Sequence, residues 1–268
     1  MSVNMKCYDT TPCIRCFACM VGCSAENRLR LQREEHVGVE KSVQETLPHL
    51  NHLTPARKEI GVFPNSRQVT AFNHCNHCEN APCLDICPTD AITRRTGAEV
   101  VINHDPCVGC SSCLDACPFD VPVITDGKKA FKCHGCYDRV ENGLKPSCVN
   151  VCPTEAMFSG TQEDVLKEAY SRAKLYTKMT GKEHIVYGAD KVNDYVGSLL
   201  WVTIIPKEDL EAYRLDTNPS RPVMQVRELG KLAGAGAAGA IVIGSVGHLI
   251  YWLGKRKEKI REEEQGHE

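Results

Sequence analysis

Apolar positions fall into a helical rhythm at one place in this chain and into strand-like runs at two others. After Gly160, Thr161 and Asp164 form a capping box, Val165, Ala169, Ala173 and Tyr176 share one helical face, and Gly181 closes the helix. HIVYG (184–188) and SLLWVTII (198–205) then read as strands, the second long enough for a buried position. No catalytic constellation accompanies these elements, so they are expected to cover whatever the rest of the chain builds.

A further apolar run follows. Residues 232–253, LAGAGAAGAIVIGSVGHLIYWL, are 22 positions without a formal charge. At ~1.5 Å per residue a helix of that length spans about 33 Å, enough to cross a bilayer core. Lys255, Arg256 and Lys257 follow at once and Tyr251 and Trp252 mark the same end, flanks that suit a membrane span better than a glycine-rich core helix. Gly236, Ala240 and Gly244 recur every fourth residue with His248 on the same stripe, so a second helix could approach closely. His248 is therefore expected to face a membrane partner and not lipid. It either hydrogen-bonds a haem propionate, a quinone or a partner side chain, or acts as plain helix–helix glue, the reading preferred here. Basic residues are denser after the span than before it, which by the positive-inside rule puts the tail (254–268) in the cytoplasm and the bulk of the chain outside. A cytoplasmic location for that bulk is the alternative. MSVNMKCYDT at the N-terminus has neither an apolar signal stretch nor a twin-arginine pair, so export as a passenger on a signal-bearing partner is expected.

Composition changes the picture through one residue type. The 42% apolar content is ordinary for a folded protein, and a net charge of −2 carries no polyanion signature, which argues against nucleic acid as a partner. Seventeen cysteines are the anomaly, and sixteen of them form four groups. Cys13, Cys16, Cys19 and Cys23 are spaced C-x2-C-x2-C-x3-C, and Cys107, Cys110, Cys113 and Cys117 repeat that spacing before Pro118. Cys75, Cys78, Cys83 and Cys87 have one spacing lengthened, before Pro88, and Cys133, Cys136, Cys148 and Cys152 have an eleven-residue excursion, before Pro153. Three closely spaced thiolates can wrap three corners of an iron–sulfur cubane, while the fourth, held by the following proline, ligates the neighbouring cluster of a two-cluster module. Four groups then make two such modules. Zinc ribbons need two C-x2-C pairs and no third cysteine with a C-x3-C tail, and neighbouring cysteines in such loops are poorly placed for disulfides. Spacing alone leaves the pairing of groups open, although groups two and three are close in sequence and would naturally form one module. Residues 24–74, which contain Pro48, Pro55 and Pro64, read as an insertion that covers the modules or docks a partner, and the histidines His36, His49 and His52 in it are taken as solvated surface residues. Cys7 is left over and reads as a buried free thiol in a short strand.

The four groups, with NHCENAPCLDICPTDAI (73–92), CVGCSSCLDACPFDVP (107–122) and KCHGCYDRVENGLKPSCVNVCPTEA (132–156), resemble the iron–sulfur β subunits of membrane-bound oxidoreductases. That group includes formate dehydrogenase-N and others of the dimethyl sulfoxide reductase superfamily, and the four-cluster subunits of some nickel–iron hydrogenases are similar. The resemblance implies four 4Fe–4S clusters. Cys13, Cys16, Cys19 and Cys152 would hold the first, and Cys133, Cys136, Cys148 and Cys23 the second. Cys75, Cys78, Cys83 and Cys117 would hold the third, and Cys107, Cys110, Cys113 and Cys87 the fourth. It further implies a wire in anaerobic respiration, with the first cluster nearest a catalytic subunit, molybdopterin or nickel–iron, and the fourth nearest a membrane cytochrome or quinone-reactive subunit. Arg15 stands where relatives commonly carry glycine. It either raises the potential of the adjacent cluster or swings out to solvent or to a partner carboxylate.

The expected fold is α+β: tandem bacterial-ferredoxin-like double-cluster modules within residues 1–205, covered by 161–205, then a linker (206–231) and one C-terminal transmembrane helix. No active site of its own is expected. A stand-alone membrane ferredoxin and a zinc-bound scaffold are the readings from other classes.

Overall fold

A computed structural model describes residues 3–35, 52–124 and 129–222. Those up to Arg221 belong to one compact unit, which runs past residue 205. The extension has a physical cause: a 3-10 turn, Lys207–Asp209, follows the last strand, and Ala212 and Tyr213 are buried behind it in the core.

A four-stranded sheet forms the centre. Its strands are β1 (Asn4–Asp9), β8 (Met157–Thr161), β9 (His184–Tyr187) and β10 (Trp201–Pro206), in the order β8-β1-β10-β9. β1 pairs antiparallel with β8 (Cys7 opposite Phe158) and parallel with β10 (Cys7 opposite Val202), and β10 pairs antiparallel with β9. Successive strand residues point to opposite faces. Met5 and Cys7 on β1 and Val202 and Ile204 on β10 therefore meet the long helix α6 (Gln162–Thr180), whose Val165, Ala169 and Ala173 complete one apolar cluster. The Thr161 side chain caps that helix by accepting from the Asp164 amide at 3.2 Å, and Gly181 ends it with φ +71°. The opposite face carries Tyr8, Trp201 and Ile205, which pack against Cys19, Cys23 and Cys148. The sheet is thus buried on both sides, by α6 on one and by the cysteine groups on the other.

Three hairpins flank this layer: β2 (Leu53–Ile60) with β3 (Arg67–His74), β4 (Ile92–Arg94) with β5 (Val100–Ile102), and β6 (Val123–Ile124) with β7 (Ala130–Phe131). Within the insertion, the described residues form the continuation of a helix to Glu35 and the β2–β3 hairpin. His52, expected in solvent, is instead buried, because its ring packs edge-on at 6.1 Å from His134. His36 and His49 lie outside the described residues. Among the described residues no helix is long and apolar enough to cross a membrane. The expected span 232–253, with Gly236, Ala240, Gly244 and His248, and the tail lie outside them.

Candidate metal centres

The four cysteine groups share a backbone. In each C-x2-C loop the residue just before the second cysteine is left-handed: Arg15 (φ +59°), His77 (+48°), Gly109 (+67°) and Gly135 (+78°). Glycine takes that conformation without a Cβ clash, whereas arginine and histidine hold it against one. A glycine expected at position 15 thus has a backbone reason. A second recurrence follows the last cysteine of three groups, where Cys-Pro leads to Asp90 (φ +50°), Asp120 (+51°) and Glu155 (+51°).

Short helices carry the remaining cysteines. Cys19 and Cys23 lie one turn apart on α1 (Ala18–Glu35), and Cys148 on α5 (Ser147–Asn150) precedes Cys152 by the same interval. The two helices pack closely at Gly22, whose carbonyl accepts a 2.8 Å hydrogen bond from Ser147 Oγ and whose missing side chain leaves room for Val151. The equivalent pair is α2 (Pro82–Asp85), with Cys83 followed by Cys87, and α3 (Ser112–Ala116), with Cys113 followed by Cys117. The intervening α4 (Tyr137–Glu141) follows Cys136 directly.

The packing brings cysteines together across groups. One cavity is lined by Cys13, Cys16, Cys19 and Cys152 with Tyr8 and Phe72. Another is lined by Cys75, Cys78, Cys83 and Cys117, with Lys132 at its wall. Cys23 lies among Cys133, Cys136 and Cys148, close enough for their charges to act on it. Cys87 packs against the apolar cluster that contains Cys107 and Cys113, while Cys110 is exposed. Among the described residues no three His, Cys, Asp or Glu side chains converge as ligands of a single ion would. Four cysteine sulfurs around one cavity, three from one group and one from another, suit a cubane. The donor set fits an iron–sulfur cluster.

Burial also acts on these thiols. Burial first, then neighbouring thiols, pushes Cys113 up to about 12, and burial likewise raises Cys19 and Cys148 to about 12. Crowded, buried thiols hold their protons until a metal displaces them. Two buried lysines, which cysteine spacing does not reveal, face these groups. Lys6 shares the face of β1 that carries Tyr8 and sits 5.4 Å over the Trp201 ring; burial disfavours its charge, and Cys133, Cys148 and Cys136 favour it once a metal has displaced their protons. Lys132 Nζ donates to the Cys133 carbonyl at 3.2 Å and approaches Cys75 Sγ at 3.6 Å. Strand alternation was the one available signal for Lys6. Cys7, by contrast, is fully buried away from all four groups, and burial raises its thiol pKa strongly. Arg15 is exposed on the rim of the first cavity.

Exposure divides the groups. Cys75, Cys133, Cys136 and Cys148 are buried, whereas Cys16 and Cys110 reach the surface. Exposed Ile14 and Val21 accompany the first of these and exposed Val108 the second.

Known proteins match this arrangement. A family model for a 4Fe–4S dicluster domain matches residues 68–162. The chain is 32% identical over 98% of its length to the iron–sulfur subunit of the nitrate-inducible formate dehydrogenase of Escherichia coli, covering 90% of that protein. It is 32% identical to the formate dehydrogenase-O iron–sulfur subunit of the same organism, over 72% of this chain and 69% of that one. It is also 33% identical to the perchlorate reductase subunit beta of Dechloromonas aromatica, over 63% of this chain and 50% of the relative.

Proposed function

Because the chain belongs to the family of formate dehydrogenase iron–sulfur subunits, we propose that it relays single electrons through four 4Fe–4S clusters between a formate dehydrogenase-like catalytic subunit and a membrane cytochrome or quinone-reactive subunit. Cys13, Cys16, Cys19 and Cys152 hold the first cluster, and Cys133, Cys136, Cys148 and Cys23 the second. Cys75, Cys78, Cys83 and Cys117 hold the third, and Cys107, Cys110, Cys113 and Cys87 the fourth. Bound there, the clusters supply one-electron oxidation and reduction without a substrate-binding corner. The protein's part is to hold thiolates, keep water from the inner two sites and leave the outer two within reach of partners.

The observation that carries this reading is the exposure gradient: no cysteine of the two inner sets is exposed, and the two outer sets come to the surface at Cys16 and Cys110 beside apolar residues. Ile14 and Val21 suit docking of the catalytic subunit, and Val108 suits the membrane side. Arg221, the last residue of the compact unit, hydrogen-bonds the Cys117 carbonyl at 3.2 Å and pairs with Asp120. The chain therefore leaves the unit beside the module built by the second and third groups. Residues 232–253 form the anchor in this reading, their Gly236, Ala240, Gly244 and His248 face meets the membrane subunit, and the cluster domain is extracytoplasmic.

Affinity purification from solubilised membranes, under strict exclusion of oxygen, tests the proposal. The expected result is co-purification of a molybdenum- or tungsten-containing catalytic subunit and an integral membrane subunit, with about 16 irons per chain and matching sulfide. A chain that purifies alone, or that carries zinc in place of iron, overturns it.

A further inference from the structure

Lys132 stands out among the charged groups that the cysteine motif does not explain. It is separated from Cys75 by 57 positions in sequence, yet its Nζ lies 3.6 Å from that sulfur. The same ammonium donates to the carbonyl of Cys133 at 3.2 Å and to that of Val100. The side chain is 6% exposed and forms part of the wall of the cavity lined by Cys75, Cys78, Cys83 and Cys117. One cation thus touches two cysteine sets at once, one from each double-cluster module.

We propose that Lys132 is a positioning charge for electron transfer at the junction of the two modules, selectively raising the potential of the cluster held by Cys75, Cys78, Cys83 and Cys117. The inference rests on the four-cluster reading above. The step is simple in its balance: one electron arrives from the neighbouring cluster, which is oxidised, the receiving cluster is reduced, and no proton moves. The receiving site gains one negative charge, and a fixed ammonium 3.6 Å from one of its sulfurs stabilises that charge directly. Low local polarity strengthens the effect, because buried charges are little screened by salt. The set of Cys133, Cys136, Cys148 and Cys23 feels Lys132 more weakly, since the contact there is to a carbonyl and Lys6 supplies a second cation. The remaining two sets lie outside its contacts.

The test uses the anaerobically purified complex and EPR-monitored redox titration of Lys132→Met, Lys132→Gln and Lys132→Arg, with iron content measured on each. The signal of the target cluster is assigned as the one altered by Cys78→Ser. In the Met and Gln variants that signal should show at least a tenfold fall in its reduced-to-oxidised ratio at fixed potential, ~59 mV for one electron. A second cluster should shift less in the same direction and two should stay put, while Lys132→Arg keeps the wild-type values. Unmoved potentials with full iron overturn the proposal, as does an equal shift in all four clusters or a shift in Lys132→Arg as large as in Lys132→Met. If all three variants lose iron, the residue is structural and the proposal fails. A wild-type complex with fewer than four clusters defeats the four-cluster reading instead.

Discussion

Depth decides what a positive charge does in this protein. Arg15 and Lys132 both sit beside cysteine-lined cavities, but Arg15 is exposed on a rim and Lys132 is buried in a wall. Two unit charges a few ångströms apart interact roughly four times more strongly at an effective dielectric of ~20 than in water. Arg15→Gly should therefore lower the potential of the adjacent cluster by less than Lys132→Met lowers its own, in the same titration. The variant should keep full iron, since glycine accepts the left-handed backbone (φ +59°) that arginine holds at a cost. A larger drop for Arg15→Gly would show that its guanidinium is turned onto the cluster and shielded from solvent. Cys7 illustrates the opposite limit: a fully buried thiol among Val165, Ala169 and Val202 is packing, and it stays protonated.

Helix contacts divide into those that hold the sites and those that hold the sheet. α1 and α5 carry cysteines of two different sets and touch at Gly22, where an added Cβ would come within 2.7 Å of Val151 Cγ2. Valine is stiff at χ1 and cannot swing aside cheaply. Gly22→Ala should thus cost about 1–3 kcal/mol and also lower iron content, because parting these helices opens both sites. Ala169 is fully buried, but between α6 and the sheet, on the face away from the cysteines. Ala169→Leu should cost a similar amount by overpacking and leave iron content and cluster potentials unchanged. Iron analysis beside chemical denaturation of the two variants separates the cases; equal iron loss in both would mean that the sheet and the sites are not mechanically distinct.

For the whole molecule the cluster sites are the core on one side of the sheet. Cys19, Cys23 and Cys148 belong to its main apolar cluster, and Cys107 and Cys113 to another. Emptying the sites leaves thiols facing one another around two cavities, without the metal that would replace their protons. Lys6 and Lys132 would also lose their counter-charge, and an unpaired buried cation is strongly destabilising. Removal of iron and sulfide should therefore abolish tertiary structure cooperatively, seen as loss of the near-UV circular dichroism of Trp201 and its neighbours, with recovery on reconstitution. An apo chain with a native spectrum would mean that the sheet and α6 stand without the clusters.

Ligand spacing, the cap and stop of α6 and the two late strands were legible in the amino-acid order, because each is a local relation: loop closure over two or three residues, one helical turn, or strand alternation. Cross-group convergence, with Cys152 beside Cys13 and Cys117 beside Cys75, lay beyond spacing alone and came from the family resemblance, since it depends on helices far apart in sequence packing together. His52 was misread as solvated because nothing near it in sequence announces the ring of His134. The buried lysines were hidden for the same reason. A lysine is normally a surface residue, and only the folded chain places Lys132 against a sulfur 57 positions away, because tertiary packing, not sequence neighbourhood, decides which groups a buried side chain meets.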